Sequence, residues 1–370
     1  MNDEETAPPA YPISTIRLQF NAGFRFQDAV RLVPYFKRLG ISHIYASPVL
    51  LARSGSPHGY DIIDHSALNP EVGGSEGFEE LVETLHRFGM GLIMDFVPNH
   101  MGIGAADNEC LFDVLEWGQS SPYARFFDID WTPYEQTLKG KVLLPFLGSQ
   151  YGTALENGEL VFRFDDEDGS FSVWYYEHRF PIAVRHYASI LRDVARVIHE
   201  TALQESPEER ESIQRELREL AKWASRLGKG SKQPRQQALE HAEARDLKAG
   251  LAKLNRRSAT VAEAVKAVEE RYNGTPGDPG SFDELHQLLE RQSYRLSYWR
   301  VASNEINYRR FFDINDLAGL RMEDQELFDI THQLIFRLIH EGKIQGVRLD
   351  HVDGLYDPAQ YFERLQNRAA

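Results

Sequence analysis

At 370 residues the chain is long enough for two or three domains and a large core. Its 42% hydrophobic and 26% charged residues are those of a soluble globular protein, and a net charge of −15 excludes nucleic acid or an anionic membrane as the main partner, since both select a basic face. One cysteine, Cys110, excludes an internal disulfide; with an acidic start unlike a signal peptide and no window near the ~18 apolar residues of a membrane span, the expected location is the cytoplasm.

The pattern over residues 13–20 predicts a strand. Residues 27–39 predict an amphipathic helix with Val30, Val33 and Phe36 on one stripe, stopped by Gly40. Residues 41–50 read as the next strand, followed by a long, flexible, polar loop from Ser54 to Asp61. A helix over 75–88, ended by Gly89, leads into an apolar strand from Gly91 to His100 that finishes in polar groups. Three βα units in succession imply parallel strands with right-handed crossovers, so residues 1–100 read as one α/β architecture.

After His100 the rhythm breaks. Residues 101–182 hold short β-like pieces at 160–164 and 171–176 and read as a β-rich excursion; residues 183–321 read as a helical one. There Ser206-Pro207-Glu208-Glu209 is a capping box with proline at the first helical position, and Ile213, Leu217, Leu220, Trp223 and Leu227 follow at helical spacing. A second helix is predicted over 260–272 and a third capped at Ser281, with a Gly/Lys/Gln-rich linker at 229–237. The charge runs read as solvated helix faces. A last helix over 322–339 returns the chain to the first architecture, which occupies 322–370.

Two segments carry candidate chemistry. Gly346-Val347-Arg348-Leu349-Asp350-His351-Val352-Asp353-Gly354 reads as a short buried strand with Arg348 and Asp350 on one face. A guanidinium two residues before a carboxylate holds that carboxylate ionised, which suits a nucleophile. A structural ion pair is the plainer reading of the same pattern. Asp350, His351 and Asp353 are also metal-ligand types, but neighbouring strand residues face opposite ways and converge poorly on one ion. Shared strand parity predicts an ion pair between Arg348 and Asp95 of the upstream strand. Asn99 reads as a turn-former or a metal ligand, and Arg309 and Arg310 as surface charges or ligand contacts. Trp117, Trp131, Trp174 and Trp299 read as core.

Asp95-Phe96-Val97-Pro98-Asn99-His100 resembles the first signature region of the α-amylase superfamily, glycoside hydrolase family 13. Gly346-Val347-Arg348-Leu349-Asp350 resembles its second region, whose aspartate is the nucleophile. Residues 53–61, 69–74, 143–148 and 307–320 resemble a subgroup that rearranges the reducing ends of maltooligosaccharides, and the resemblance spans about residues 14–358. It implies an α/β fold, a (β/α)8 TIM barrel of the α-amylase type truncated after about the fourth strand, with the β-rich and helical insertions after strand 3. It implies an isomerase of trehalose biosynthesis: a retaining intramolecular transglucosylation that turns the reducing-end α-1,4 linkage of an α-1,4-glucan into α,α-1,1, without cofactor or metal.

In that scheme Asp350 is the nucleophile and Arg348 holds it ionised. His100 hydrogen-bonds the glucose at the cleavage point and Tyr60 stacks on it; His58, Asp61, Asp95, His351 and Asp353 complete the substrate-binding set. Many α-amylases carry a lysine-histidine pair three and four residues after the nucleophile. Asp353 and Gly354 stand there, which argues against a plain endo-amylase. The family's acid/base glutamate belongs to the fifth strand, so no general acid is assigned, and the chain alone is expected to be inactive. An α-glucan hydrolase, another transglucosylase and an inactive glucan-binding fragment stand as alternatives.

Overall fold

The computed structural model describes residues 11–104, 107–200, 206–228 and 233–369. The chain divides into two compact units. One comprises the described residues of Met1–Ile103, Arg125–Asp128 and Arg309–Ala370; the other those of Gly104–Ala124 and Ile129–Tyr308.

The first unit is built on β1 (Thr15–Leu18), β2 (His43–Ala46), β5 (Gly91–Phe96) and β8 (Gly346–Leu349), which form one sheet in that order. All three pairings are parallel, with Arg17 opposite Tyr45, Tyr45 opposite Ile93 and Asp95 opposite Arg348. Parallel neighbours need long crossovers. Here α1 (Phe26–Arg38) follows β1, α2 (Gly74–Arg87) precedes β5, and α3 (Gln325–His340) precedes β8. Phe26, Ala29, Val33 and Phe36 of α1 join Phe78, Leu81 and Leu85 of α2, Leu92, Met94 and Phe96 of β5, and Ile335 and Leu338 of α3 in one buried cluster. Each such side chain contributes about 1.5–3 kcal/mol by leaving water. The opposite parity of β5 is left to Asp95, so alternation alone delivers a carboxylate to the far face. A final helix, α4 (Pro358–Ala369), is tied to α3 where Tyr361 Oη meets His332 Nε2 at 2.7 Å.

Several expectations change. The strand expected to run to His100 stops at Phe96, because Pro98 cannot donate to a ladder. His100–Gly102 is a separate strand, β6, paired antiparallel with β7 (Leu317–Gly319). The loop from Ser54 to Asp61 is pinned instead of flexible. It is flanked by the antiparallel strands β3 (Leu50–Ala52) and β4 (Ile62–Leu68), and Glu71 accepts from Ser54 Oγ and the Gly55 amide, both at 3.0 Å. The strand at Gly346 contains no buried residue, because β8 is the last in sheet order and one flank lacks a neighbour among the described residues.

The second unit holds a three-stranded antiparallel sheet (Val161–Phe164, Phe171–Tyr175, His178–Pro181) and a parallel pair (Val142–Leu147 with Tyr294–Tyr298). Its long helices are Tyr187–Glu200, Pro207–Ala224, Pro234–Arg257 and Ala259–Tyr272. The capping box forms as predicted, with Ser206 and Glu209 each bonding the other's backbone amide. Two local readings fail. Residues 229–232 of the expected linker lie outside the described residues, and from Pro234 the segment is helix, since proline fits a first turn. Ser281 caps nothing; its hydroxyl turns back to the Asp278 carbonyl at 2.6 Å. No helix among the described residues is long and apolar enough to cross a membrane.

Candidate active site

A row of polar side chains crosses the sheet of the first unit on the face away from its core. Asp95, with no exposed surface, accepts from Tyr60 Oη at 2.6 Å, from Tyr45 Oη at 2.8 Å and from Arg348 Nη1 at 3.1 Å. The predicted Arg348–Asp95 ion pair is therefore present. The same Nη1 donates to Asp350 Oδ1 at 2.6 Å, so one guanidinium holds two carboxylates. Burial opposes the charge on Arg348, yet its bonds to Asp95 and Asp350 hold it above the ordinary arginine value. Arg17 lies 5.6 Å from the Tyr45 ring centre and donates to Tyr60 Oη at 3.4 Å. Burial, helped by the bond to Asp95, pushes the Tyr60 phenol up to about 12, so it stays a neutral donor.

Above this row opens a cavity of about 460 Å³, in the range of small-ligand sites. Asp350, Tyr60, His58, Asp61 and His100 line its polar side; Phe311, Ile314 and Leu317 line an apolar one, and Arg53 and Asp316 also border it. Asp350 enters directly after β8, its amide bonded to the Phe96 carbonyl at 2.8 Å. His100 is fully buried against Phe311, ring centres 4.2 Å apart. Burial pushes its imidazole down to about 3, opposed by a bond to the Tyr60 backbone, so it is neutral. A neutral imidazole nitrogen on a cavity wall is a ready hydrogen-bonding group for a hydroxyl. Tyr60 is carried by a loop whose turn requires Gly59 (φ +77°): a Cβ there would lie 2.5 Å from the Pro48 carbonyl oxygen.

Of the residues expected at the site, the structure brings His58, Tyr60, Asp61, His100 and Asp350 to the cavity, with Asp95 and Arg348 beneath. His351 and Asp353 are not among its lining residues. His351 lies against Phe311 and Phe312, and Asp353 is 85% exposed at 3.4 Å from His351 Nδ1. Arg309 donates to Asn99 Oδ1 at 2.7 Å and to the Leu320 and Gly354 carbonyls at 2.7 and 3.1 Å. Arg310 is tied to Asp313 and Asn315 within its own turn.

The sequence does not single out Tyr45 and Arg17, and it gives no site role to Arg53, Asp316 and Phe311, though these lie inside the segments that carry the resemblance. The first two had a usable signal: each is a polar interruption of a short strand. The other three owe their place to long-range pairing of β6 with β7, which no local pattern encodes.

The alpha amylase catalytic domain model matches residues 29–181. Over those residues the chain is similar to α-amylase catalytic domains. Along nearly its whole length it is similar to maltooligosyl trehalose synthases. A protein of Mycobacterium tuberculosis described as a putative maltooligosyl trehalose synthase is 33% identical over 365 residues, 96% of this chain and 33% of the relative. The solved maltooligosyltrehalose synthase of Arthrobacter ramosus superposes with a TM-score of 0.63 at 34% identity, over 97% of this chain and 33% of that one. A hypothetical maltooligosyl trehalose synthase from Sulfolobus tokodaii gives a TM-score of 0.60 at 26% identity, covering 97% and 34%. The chain thus spans about a third of the length of the relatives it matches. The parallel sheet with helical crossovers is of the TIM-barrel-like α/β type.

Proposed function

We propose that this chain carries the nucleophile and cleavage-point subsite of an intramolecular transglucosylase that acts on α-1,4-glucans in the cytoplasm. The observation that carries this reading is the placement of Asp350 on the cavity wall, tethered by the Arg348 that also holds Asp95. Asp350 attacks the anomeric carbon of the reducing-end-linked glucose; the glycosidic bond breaks as the leaving oxygen takes a proton from a general acid. The anomeric hydroxyl of the departed reducing-end glucose, giving its proton to the same acid/base group, then attacks the glycosyl-enzyme and displaces Asp350, and the product carries an α,α-1,1 linkage. His100 Nε2 takes a hydroxyl of the bound glucose, Tyr60 offers a ring face, and His58 and Asp61 bond its rim. His351 and Asp353 act on more distant sugar units. The apolar wall limits water, which would otherwise divert the intermediate to hydrolysis. No glutamate is among the lining residues, so the acid is not assigned. The same proposal makes β1, β2, β5 and β8 successive strands of an eightfold barrel, with residues 101–321 as insertions after the third.

The test does not depend on a general acid. A 5-fluoro-α-glucosyl fluoride has a leaving group that needs no protonation, so it reports the nucleophile alone. Asp350 should be the labelled residue in peptide mass spectra, and Asp350→Asn should abolish labelling. Equal labelling of the variant, or a label elsewhere, overturns the assignment. Release of free glucose in place of a non-reducing product from maltopentaose would favour a hydrolase.

A further inference from the structure

Arg53 and Asp316 are 263 positions apart and meet at the cavity. The Arg53 amide bonds the Asp61 carbonyl at 3.1 Å, fixing its start in the pinned loop. Its stem passes over Gly102 of β6, where a Cβ would lie 3.2 Å from Arg53 Cδ and 2.8 Å from the Asp61 carbonyl oxygen. Only a residue without a side chain leaves that passage open. Asp316 directly precedes β7; its carbonyl accepts from the Ile103 amide at 2.8 Å, and Leu317 is paired with Gly102. The ladder therefore brings the carboxylate to the end of the Arg53 stem, with Nη1 and Oδ2 3.3 Å apart.

As a staple this pair is poor. Its side chains are 23% and 44% exposed, and pairs of that kind add little to stability. As a ligand group it is better equipped. The contact with Asp316 uses one N–H of the guanidinium's five, and one of the two carboxylate oxygens. A vicinal diol, with hydroxyls that both donate and accept, is the complement of a guanidinium beside a carboxylate. We infer that Arg53 and Asp316 form a diol-binding pair for the glucose unit next to the one held at Asp350, and so set the position of the second sugar. This rests on the glucan reading above.

Calorimetric titration of the full chain with maltopentaose tests it. Arg53→Met and Asp316→Asn should each weaken binding about ten-fold, the loss of a charged hydrogen bond. The double variant should be little worse than either, because the two act as a unit. Methyl α-maltosides lacking one ring hydroxyl supply a readout that a staple would not move. The wild type should lose affinity for the 2- or 3-deoxy analogue of the second sugar, and the variants should not distinguish it from the parent. Asp316→Asn preserves size and shape, so it decides the matter if Arg53→Met does not fold. Wild-type binding of maltopentaose with unchanged affinity or unchanged discrimination in a folded variant overturns this inference alone. Absence of binding by the folded wild type overturns the glucan reading and this inference with it.

Discussion

Tyr45 and Tyr60 donate to the same oxygen, Oδ2 of Asp95, at 2.8 and 2.6 Å, while Arg348 occupies Oδ1. A single buried carboxylate thus sets the tilt of a cavity ring and the position of the guanidinium that tethers Asp350. Asp95→Asn exchanges one acceptor oxygen for an NH2 group. That group must face either two phenol hydroxyls or a guanidinium, so at least one donor loses its partner. The expected cost is about 2–4 kcal/mol, discounted for the half-exposed Arg348. Urea denaturation reads it, and a change below ~0.5 kcal/mol would show that Asp95 does not organise the row.

This row marks where sequence patterning works. Asp95 and Arg348 share parity on strands that pair in register, so period-two alternation predicts their contact. Phe36, Leu85 and Leu338 fall on helical stripes and are buried together for the same reason. The failures are equally specific. His100 reads as a strand end because its apolar neighbours conceal the break at Pro98, and Arg309 is ambiguous because its partners come from residues 99, 320 and 354. Arg53 and Asp316 fall within segments that carry the family resemblance, but nothing local pairs them; a Gly102 passage and a long-range strand pair bring them together.

Histidine burial in the first unit makes its stability depend on pH. Burial pushes His100 and His332 down to about 3, and lowers His65. The unfolded chain takes up protons near pH 6.5 and the folded one does not. Their contribution is complete above that value and is lost as pH falls toward the folded values. Between about pH 7 and 5.5, His100 and His332 should each remove about 1 kcal/mol. The urea midpoint should drop accordingly, and His100→Gln should flatten the slope. A midpoint that holds or rises over that interval contradicts the neutral, buried state.

His241 carries the opposite sign. Burial works against its charge, but Asp113 at 2.8 Å and the Gln237 carbonyl raise its pKa above the ordinary value, and the ring stacks on Trp117. Its contribution is complete below about pH 6.5 and is lost as pH rises through the raised folded value. Asp113→Asn should remove it. Nuclear magnetic resonance titration of the ring should then show His241 releasing its proton at lower pH; an unmoved titration would show that the carboxylate is not its partner.

Gly59 and Gly55 separate strain from collision in the loop that carries Tyr60. Both are left-handed, φ +77° and +74°, but a Cβ at Gly55 meets nothing within 4 Å. Gly55→Ala should cost about 1 kcal/mol with unchanged maltopentaose affinity. Gly59→Ala adds the contact with the Pro48 carbonyl, so the loop must shift and Tyr60 with it. A loss of about 2–4 kcal/mol and clearly weaker binding are expected. Equal behaviour of the two variants would mean the loop absorbs the collision without moving the ring.

Arg309→Lys examines the scaffold behind His100. The guanidinium is planar and reaches the Asn99 side chain, two backbone carbonyls and Asp128 at once, the last through Nε at 3.2 Å. It lies flat against Gly319, where a Cβ would approach Cζ to 2.7 Å. A lysine keeps the charge but has a single nitrogen that cannot span those acceptors, so the buried Asn99 oxygen or the Leu320 carbonyl loses its donor. The expected cost is about 2–3 kcal/mol. Gly319→Ala, which pushes the guanidinium off the backbone, should reproduce much of it without touching any polar group. Because Asn99 directly precedes His100, both variants should also weaken maltopentaose binding, although neither changed residue lines the cavity. Melting within about 1 °C of wild type for Arg309→Lys would show that the charge alone, and not the planar fork, holds these segments together.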